Sequence, residues 1–271
     1  MRILLLGDIM GHAGREALAK YLPDLKRRLA VDVTVVNGEN TADGRGITGA
    51  LCEQLYRLGA DCITTGNHVW DRHEVIAYID GDPRLLRPAN SPEGTPGHGL
   101  YLHRLGDGRR LAVINVMGRL FMNRLGDPFK CAERLLASCR LGHECDAAIV
   151  DFHGEAASEK MAFAHCFDGR LSAVIGTHTH IPTADAHILP GGTAYMSDAG
   201  MCGDYDSVIG IRKTDFVRHF TSPTPENRLE PADSNRMLCG VLVITDDSNG
   251  LATVIAPIRI GDILGQALPA V

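Results

Sequence analysis

Several features are missing or scarce in this chain of 271 residues, and each absence narrows what it can do. No apolar run approaches the roughly 18–20 residues that cross a bilayer, so no membrane-spanning helix is expected. The apolar stretch at residues 3–6 is too short for a secretory signal. The eight cysteines include no CxxC pair, and most sit in apolar or helical stretches, which suits a reducing compartment. Positive charge is not in excess: 27 Lys and Arg stand against 33 Asp and Glu, whereas a general nucleic-acid binder would carry a basic face. Neither Gly7-Asp8 nor Gly11-His12-Ala13-Gly14 completes the GxGxxG fingerprint of a dinucleotide-binding module. Repeats and low-complexity tracts are absent too. The expectation is a cytoplasmic globular protein without a membrane or long nucleic acid as partner, and with room for a homo-oligomer.

What is present alternates between short apolar runs and amphipathic stretches. Residues 2–6, 32–36 and 62–65 read as buried strands, and 15–29 and 50–58 as helices, the second stopped by Gly59. Three β–loop–α units in the first 80 residues imply a parallel sheet covered by helices. Residues 99–105 and 110–116 flank Gly106-Asp107-Gly108 as a hairpin, and 128–139 is helical. Later strands are expected at 147–150, 171–175, 193–196, 240–245 and 252–258. The polar stretch 204–236, with three prolines, reads as a surface excursion or lid within one domain spanning 1–271.

Five of the expected strands end in a turn that carries Asp, Glu, Asn or His: Asp8; Glu39 with Asn40; Asn67 with His68; His153; His178 with His180. Each turn taken singly is also explained by capping or turn chemistry. Together they demand another reading, because groups at the carboxyl ends of strands in an open α/β sheet converge in one crevice. Oxygen and imidazole ligands without thiolates suit Mn, Fe or Zn, and their number exceeds what one tetrahedral ion needs. Two ions are therefore expected, with Glu39 as the natural bridge. Two divalent ions, less Asp8, Glu39 and a bridging hydroxide, leave one positive charge to attract a phosphodiester anion. His178-Thr179-His180 carries most weight, since i and i+2 side chains of an extended backbone share a face.

At these residues the chain resembles the calcineurin-like metallophosphoesterase superfamily, whose pattern is GDxH, a GDxxD-like turn, GNH, a strand-end His and GHxH. More narrowly it is similar to the YmdB-type branch, bacterial phosphodiesterases assigned to 2′,3′-cyclic nucleotides. The likeness covers GDIMGHAGR, VVNGENTADGRGIT, TTGNHVWD, RPANSPEGTPG, VDFHGEAASEK, AVIGTHTHIPTAD and GGTAYMSDAG, nearly the whole chain. It implies a four-layer α/β/β/α sandwich and two metal ions, iron in kind, with Mn or Zn able to substitute. It implies Asp8, His180 and Asn40 on one ion, Asn67, His153 and His178 on the other, and Glu39 between them. His68 matches the general acid for the leaving oxygen, and a small phosphodiester such as a 2′,3′-cyclic nucleotide is the implied substrate, cleaved by in-line attack of the bridging hydroxide. Three departures mark the narrower branch: Met10 stands for the usual His, Glu39 for the usual Asp, and Val69 for the Asp after GNH. A metal-binding regulatory scaffold, or a phosphomonoesterase or nuclease on the same site, are the competing functions.

Overall fold

A computed structural model of the chain describes residues 1–224 and 229–269. In chain order its strands are β1 (Arg2–Leu6), β2 (Asp8–Ile9), β3 (Val33–Asn37), β4 (Cys62–Thr64), β5 (Leu100–Arg104), β6 (Arg110–Met117), β7 (Ala147–His153), β8 (Ala173–Thr177), β9 (His187–Ile188), β10 (Ala194–Met196), β11 (Met201–Cys202), β12 (Leu238–Thr245) and β13 (Ala252–Ile260). Its helices are α1 (Gly11–Arg28), α2 (Gly49–Leu58), α3 (Val75–Ile79), α4 (Pro128–Ser138), α5 (Ala157–Cys166) and α6 (Lys213–Thr221).

One sheet runs β13-β12-β1-β3-β4, the other β5-β6-β7-β8-β10-β9, and β2 pairs separately with β11. Strands β1, β3 and β4 are parallel, as are β6, β7, β8 and β10, so within each sheet their carboxyl ends share an edge. The alternation of side chains along a strand then separates three apolar layers. Ile3, Leu5, Val33 and Val35 face Val113, Ile149 and Ile175 of the other sheet. Leu4, Leu6 and Val36 point the opposite way, onto Leu18, Leu22 and Leu25 of α1 and Leu55 of α2. Ile114, Val150 and Val174 pack against Leu136 of α4 and Phe163 of α5. The architecture is the expected α/β/β/α sandwich. Strands buried on both faces must be apolar almost throughout, which is why β1 and β3 read as unbroken hydrophobic runs.

Local capping sets several boundaries. The Thr48 hydroxyl accepts from the Leu51 amide at the start of α2, and Gly59 closes it at φ 111°. Asp127 caps α4 ahead of Pro128. The first helix starts earlier than the sequence suggests, at Gly11 rather than residue 15. The reason is tertiary: a side chain at Gly14 would collide with the Cys202 carbonyl, so glycine lets α1 lie directly against β11. Helices α3 and α6 carry no clear sequence signal.

Within the excursion 204–236, residues 225–228 lie outside the described residues. The rest is tied down at its base. Asp204 Oδ2 accepts from the Ser234 amide (2.7 Å) and hydroxyl (2.6 Å), and Ile211 bridges Pro231. No residue of α6 is fully buried.

Candidate metal centre

The five turns meet at the carboxyl edge of the two sheets. Glu39 and Asn40 follow β3, Asn67 and His68 follow β4, His153 closes β7, His178 and His180 follow β8, and Asp8 opens β2. Asp8, Glu39, Asn40, His153 and His180 are buried.

Around His153 the groups crowd together. Its Nε2 lies 2.9 Å from Asn67 Oδ1, 3.2 Å from Glu39 Oε1 and 3.1 Å from His178 Nδ1. The ligand atoms of Glu39, His153 and His178 all fall within 4.8 Å of one another. Beside them, His180 Nε2 is 3.8 Å from Asp8 Oδ1. Asp8 Oδ1 and Asn40 Oδ1 are buried with no hydrogen-bond partner. Each such orphan acceptor costs about 1–3 kcal/mol, so native proteins seldom leave them without a partner.

The outer nitrogens of the three histidines explain which atoms face inward. Thr177 Oγ1 donates to Asp151 Oδ1 (2.6 Å), so it can only accept from His153 Nδ1 at 2.9 Å. The Ile209 carbonyl, an acceptor only, takes His180 Nδ1–H at 2.8 Å. Glu155 Oε2 sits 3.2 Å from His178 Nε2. All three rings thus spend one N–H outward and turn their other nitrogen toward Asp8 and Glu39, the arrangement that outer partners impose on metal-ligating histidines. Nitrogens crowded against carboxylates in this way repel them unless a cation, a proton or a metal ion, lies among them. The donor set, hard oxygens with imidazole nitrogens, fits Fe, Mn or Zn.

A scan against protein families matches residues 4–258 to the model described as YmdB-like protein. The chain belongs to the YmdB-like family. It is 44% identical over 262 residues to the 2′,3′-cyclic-nucleotide 2′-phosphodiesterase of Bacillus subtilis, covering 97% of this chain and 98% of that protein. Among solved structures, a hypothetical protein from Thermus thermophilus superposes with a TM-score of 0.89 at 39% identity, covering 97% of this chain and all of that one. A structure titled as a novel phosphatase from Mycoplasma pneumoniae reaches the same TM-score at 33% identity, over 96% of this chain and 93% of its own.

The electrostatics of this YmdB-like site follow from crowding charge where water is excluded. Burial above all, with Glu39 and Asp198 adding to it against His180 and His153, raises the Asp8 carboxyl to about 7. Burial would raise Glu39 as well, yet His153 and His68 outweigh it and hold Glu39 down at about 2. Against its own burial, His153 is lifted to about 9 by Glu39, Asp8 and Asp151. Burial, then the neighbouring His153, push His178 down to about 3.

Several other residues fall into place. His68 stands at the rim, its amide on Glu39 Oε2 (3.1 Å) and its Nδ1 on Asp71 Oδ2 (2.8 Å). Met10 lines the same cavity as the candidate ligands, and a thioether adds nothing to a hard-metal shell. Arg45 also lines that cavity, whereas Thr48, a candidate for contact with substrate phosphate, spends its hydroxyl as a helix cap. Trp70 packs against the α1–α2 core. The sequence reading passed over Asp71, Asp151, Glu155 and Thr177. Asp151 had a usable signal, since it lies two residues before His153 on the same strand and so shares its face.

Proposed function

We propose that the chain is a metal-dependent phosphodiesterase acting on small phosphodiesters, of which 2′,3′-cyclic nucleotides are the best candidates. We assign Asp8, Glu39, Asn40, Asn67, His153, His178 and His180 to two ions, iron with manganese or zinc able to substitute. The observation that carries this reading is three histidines whose outer nitrogens are all engaged and whose inner nitrogens face Glu39, Asp8 and one another. When bound, such ions polarise phosphoryl oxygens and bring the pKa of coordinated water toward neutrality.

The chain's own residues supply the rest. Glu39 and Asp8 balance much of the cationic charge, leaving a site attractive to an anionic ester. In its doubly protonated form His68 donates Nδ1–H to Asp71 Oδ2, which fixes the ring, and gives its Nε2 proton to the departing ribose oxygen. Asp71 thereby fills the orienting place left empty by Val69. Arg45, the one Lys or Arg among the described lining residues, is placed to meet the phosphate. The 204–236 excursion adds apolar lining: Ile209, Ile211, Phe216 and Leu229. A cavity of about 300 Å³ with both charged and apolar lining suits a phosphate joined to a base, and is at the small end for a bound ligand. We take 1–271 as a single catalytic domain with that excursion as its lid. All eight cysteines are free, which supports a cytoplasmic setting, and no described helix is long and apolar enough to cross a membrane.

The test joins elemental analysis of purified protein to hydrolysis of 2′,3′-cyclic AMP with and without chelator. A 2′,3′-cyclic nucleotide should be cleaved faster than a phosphomonoester or an RNA strand, and chelation should abolish cleavage. Metal-loaded protein inert toward the whole panel would instead make the chain a metal-binding scaffold.

A further inference from the structure

Outside the proposed ligand set, the most unusual group in the molecule is Lys160 of α5, an ammonium that is only 1% exposed. Lysine is almost never this buried without a dedicated set of partners. Its three donors have three acceptors: the Thr177 carbonyl (2.8 Å), the Ser197 carbonyl (2.9 Å) and Asp198 Oδ2 (3.1 Å). Asp198 is equally buried and equally satisfied, accepting from the Thr179 amide on Oδ2 (2.9 Å) and from the Gly200 amide on Oδ1 (2.9 Å).

Two of these bonds fall on consecutive peptide groups. The Thr177 carbonyl belongs to the peptide before His178, and the Thr179 amide to the peptide after it. One ion pair therefore grips both sides of His178. That residue needs gripping, because it sits at φ 104° and His180 at φ 68°, conformations that residues other than glycine adopt only when their surroundings enforce them. Strand β8 is built around the same contact: a side chain at Gly176 would run into the Ser197 carbonyl and into the Lys160 stem.

We propose that Lys160 and Asp198 are positioning residues that hold the His178-Thr179-His180 turn in its strained form, so that His178 Nδ1 faces Glu39 and His153. This rests on the metal-centre reading above and extends it to residues that would touch neither metal nor substrate. Neutralising the lysine lets the peptide before His178 turn away, and the imidazole with it. Loss of such an outer partner typically weakens metal binding about 10- to 100-fold.

The experiment uses the full chain stripped of metal, with Mn²⁺ affinity and stoichiometry read by chelator competition and Co²⁺ visible absorption as the signature of coordination. Leu136→Ala, in the α4 layer away from the site, serves as a variant that loses stability without touching the turn. The expected result is two ions per chain in wild type and in L136A, with matching spectra. Lys160→Met should bind about 10- to 100-fold more weakly, with an altered spectrum. Should K160M fail to fold, Asp198→Asn keeps the volume but sets an NH₂ against one of the donors Asp198 now satisfies, and the same weakening is expected. Wild-type affinity and spectrum in whichever variant folds would overturn the positioning role. Wild-type protein that takes up no metal would overturn the metal centre itself, a separate outcome.

Discussion

Replacing Gly66 with alanine adds a single methyl group between β4 and the heart of the centre. A Cβ built there lies deep inside contact with His153 Cδ2 and Nε2 and 2.5 Å from Glu39 Oε2. The shortfall from ordinary packing is roughly 1 Å. Gly66 does not occupy a left-handed conformation, so the backbone tolerates alanine and the whole effect is steric. Neither neighbour can step aside: His153 is buried and fixed through Nδ1 to Thr177, and Glu39 accepts from the His68 amide. Ligand positions in a metal site tolerate about 0.2 Å, and a misplacement near 1 Å costs on the order of 10²-fold in rate. Overpacking a rigid site adds about 1–3 kcal/mol of destabilisation. We therefore expect G66A to purify with depleted metal, to melt several degrees lower, and to lose about two orders of magnitude of kcat on 2′,3′-cyclic AMP. Elemental analysis, thermal melts and steady-state kinetics check each part. A G66A protein with full metal content and wild-type kcat would refute the claim that His153 and Glu39 stand where the structure puts them.

Three further outcomes are expected. His68→Ala should keep its metal yet lose about 10²–10⁴-fold on a 2′,3′-cyclic nucleotide, whose alkoxide needs a proton, and much less on bis(p-nitrophenyl) phosphate; Asp71→Asn should follow in the same direction, and equal losses on both substrates would count against the acid role. Phe216→Ala should raise KM for the cyclic nucleotide by about 5- to 100-fold at constant kcat if the apolar wall receives the base, and an unchanged KM would remove it from the binding site. The metal-stripped protein should respond to pH in a set direction: His153 at about 9 and Asp8 at about 7 both lie above their unfolded values, so their stabilising contributions are complete at low pH and drain away as pH climbs through those values. Its Tm should fall between pH 6.5 and 9, while Mn²⁺ affinity should rise by up to about tenfold per pH unit as a proton is displaced; an affinity flat across that window would contradict the charge distribution.

Legibility differed from residue to residue for physical reasons. Asp8, Glu39, Asn67, His153 and His178 were visible because a buried parallel strand is a short apolar run, and a polar residue just past it is conspicuous. Asp71 was visible only in retrospect, since Val69 appeared to leave His68 without an orienting carboxylate. Helix α6 escaped notice because its nine residues offer only a two-turn apolar stripe, Phe216 and Phe220, that is not fully buried, set in a polar, proline-containing stretch. The start of α1 was misjudged because its first four residues include two glycines, used not for local helix preference but for close approach to β11 at Gly14 and for a positive φ of 56° beside Pro231 at Gly11.

While the four-layer sandwich was implied only by the family resemblance, the amino-acid order by itself determined the alternation of strands and helices, a parallel sheet covered by helices, and the seven oxygen and imidazole groups delivered at strand ends. Those follow from periodicity and steric limits that act over a few residues. Only the folded chain decided which nitrogen of each imidazole faces inward, through Thr177, Glu155 and the Ile209 carbonyl. It alone showed that Lys160 reaches across to grip the His178 turn, and that residues beyond 204 wall the cavity with Phe216 and Leu229. Such partners are separated along the chain by up to dozens of residues, and nothing in local propensity encodes which distant carbonyl or carboxylate a side chain will meet once the sheets pack.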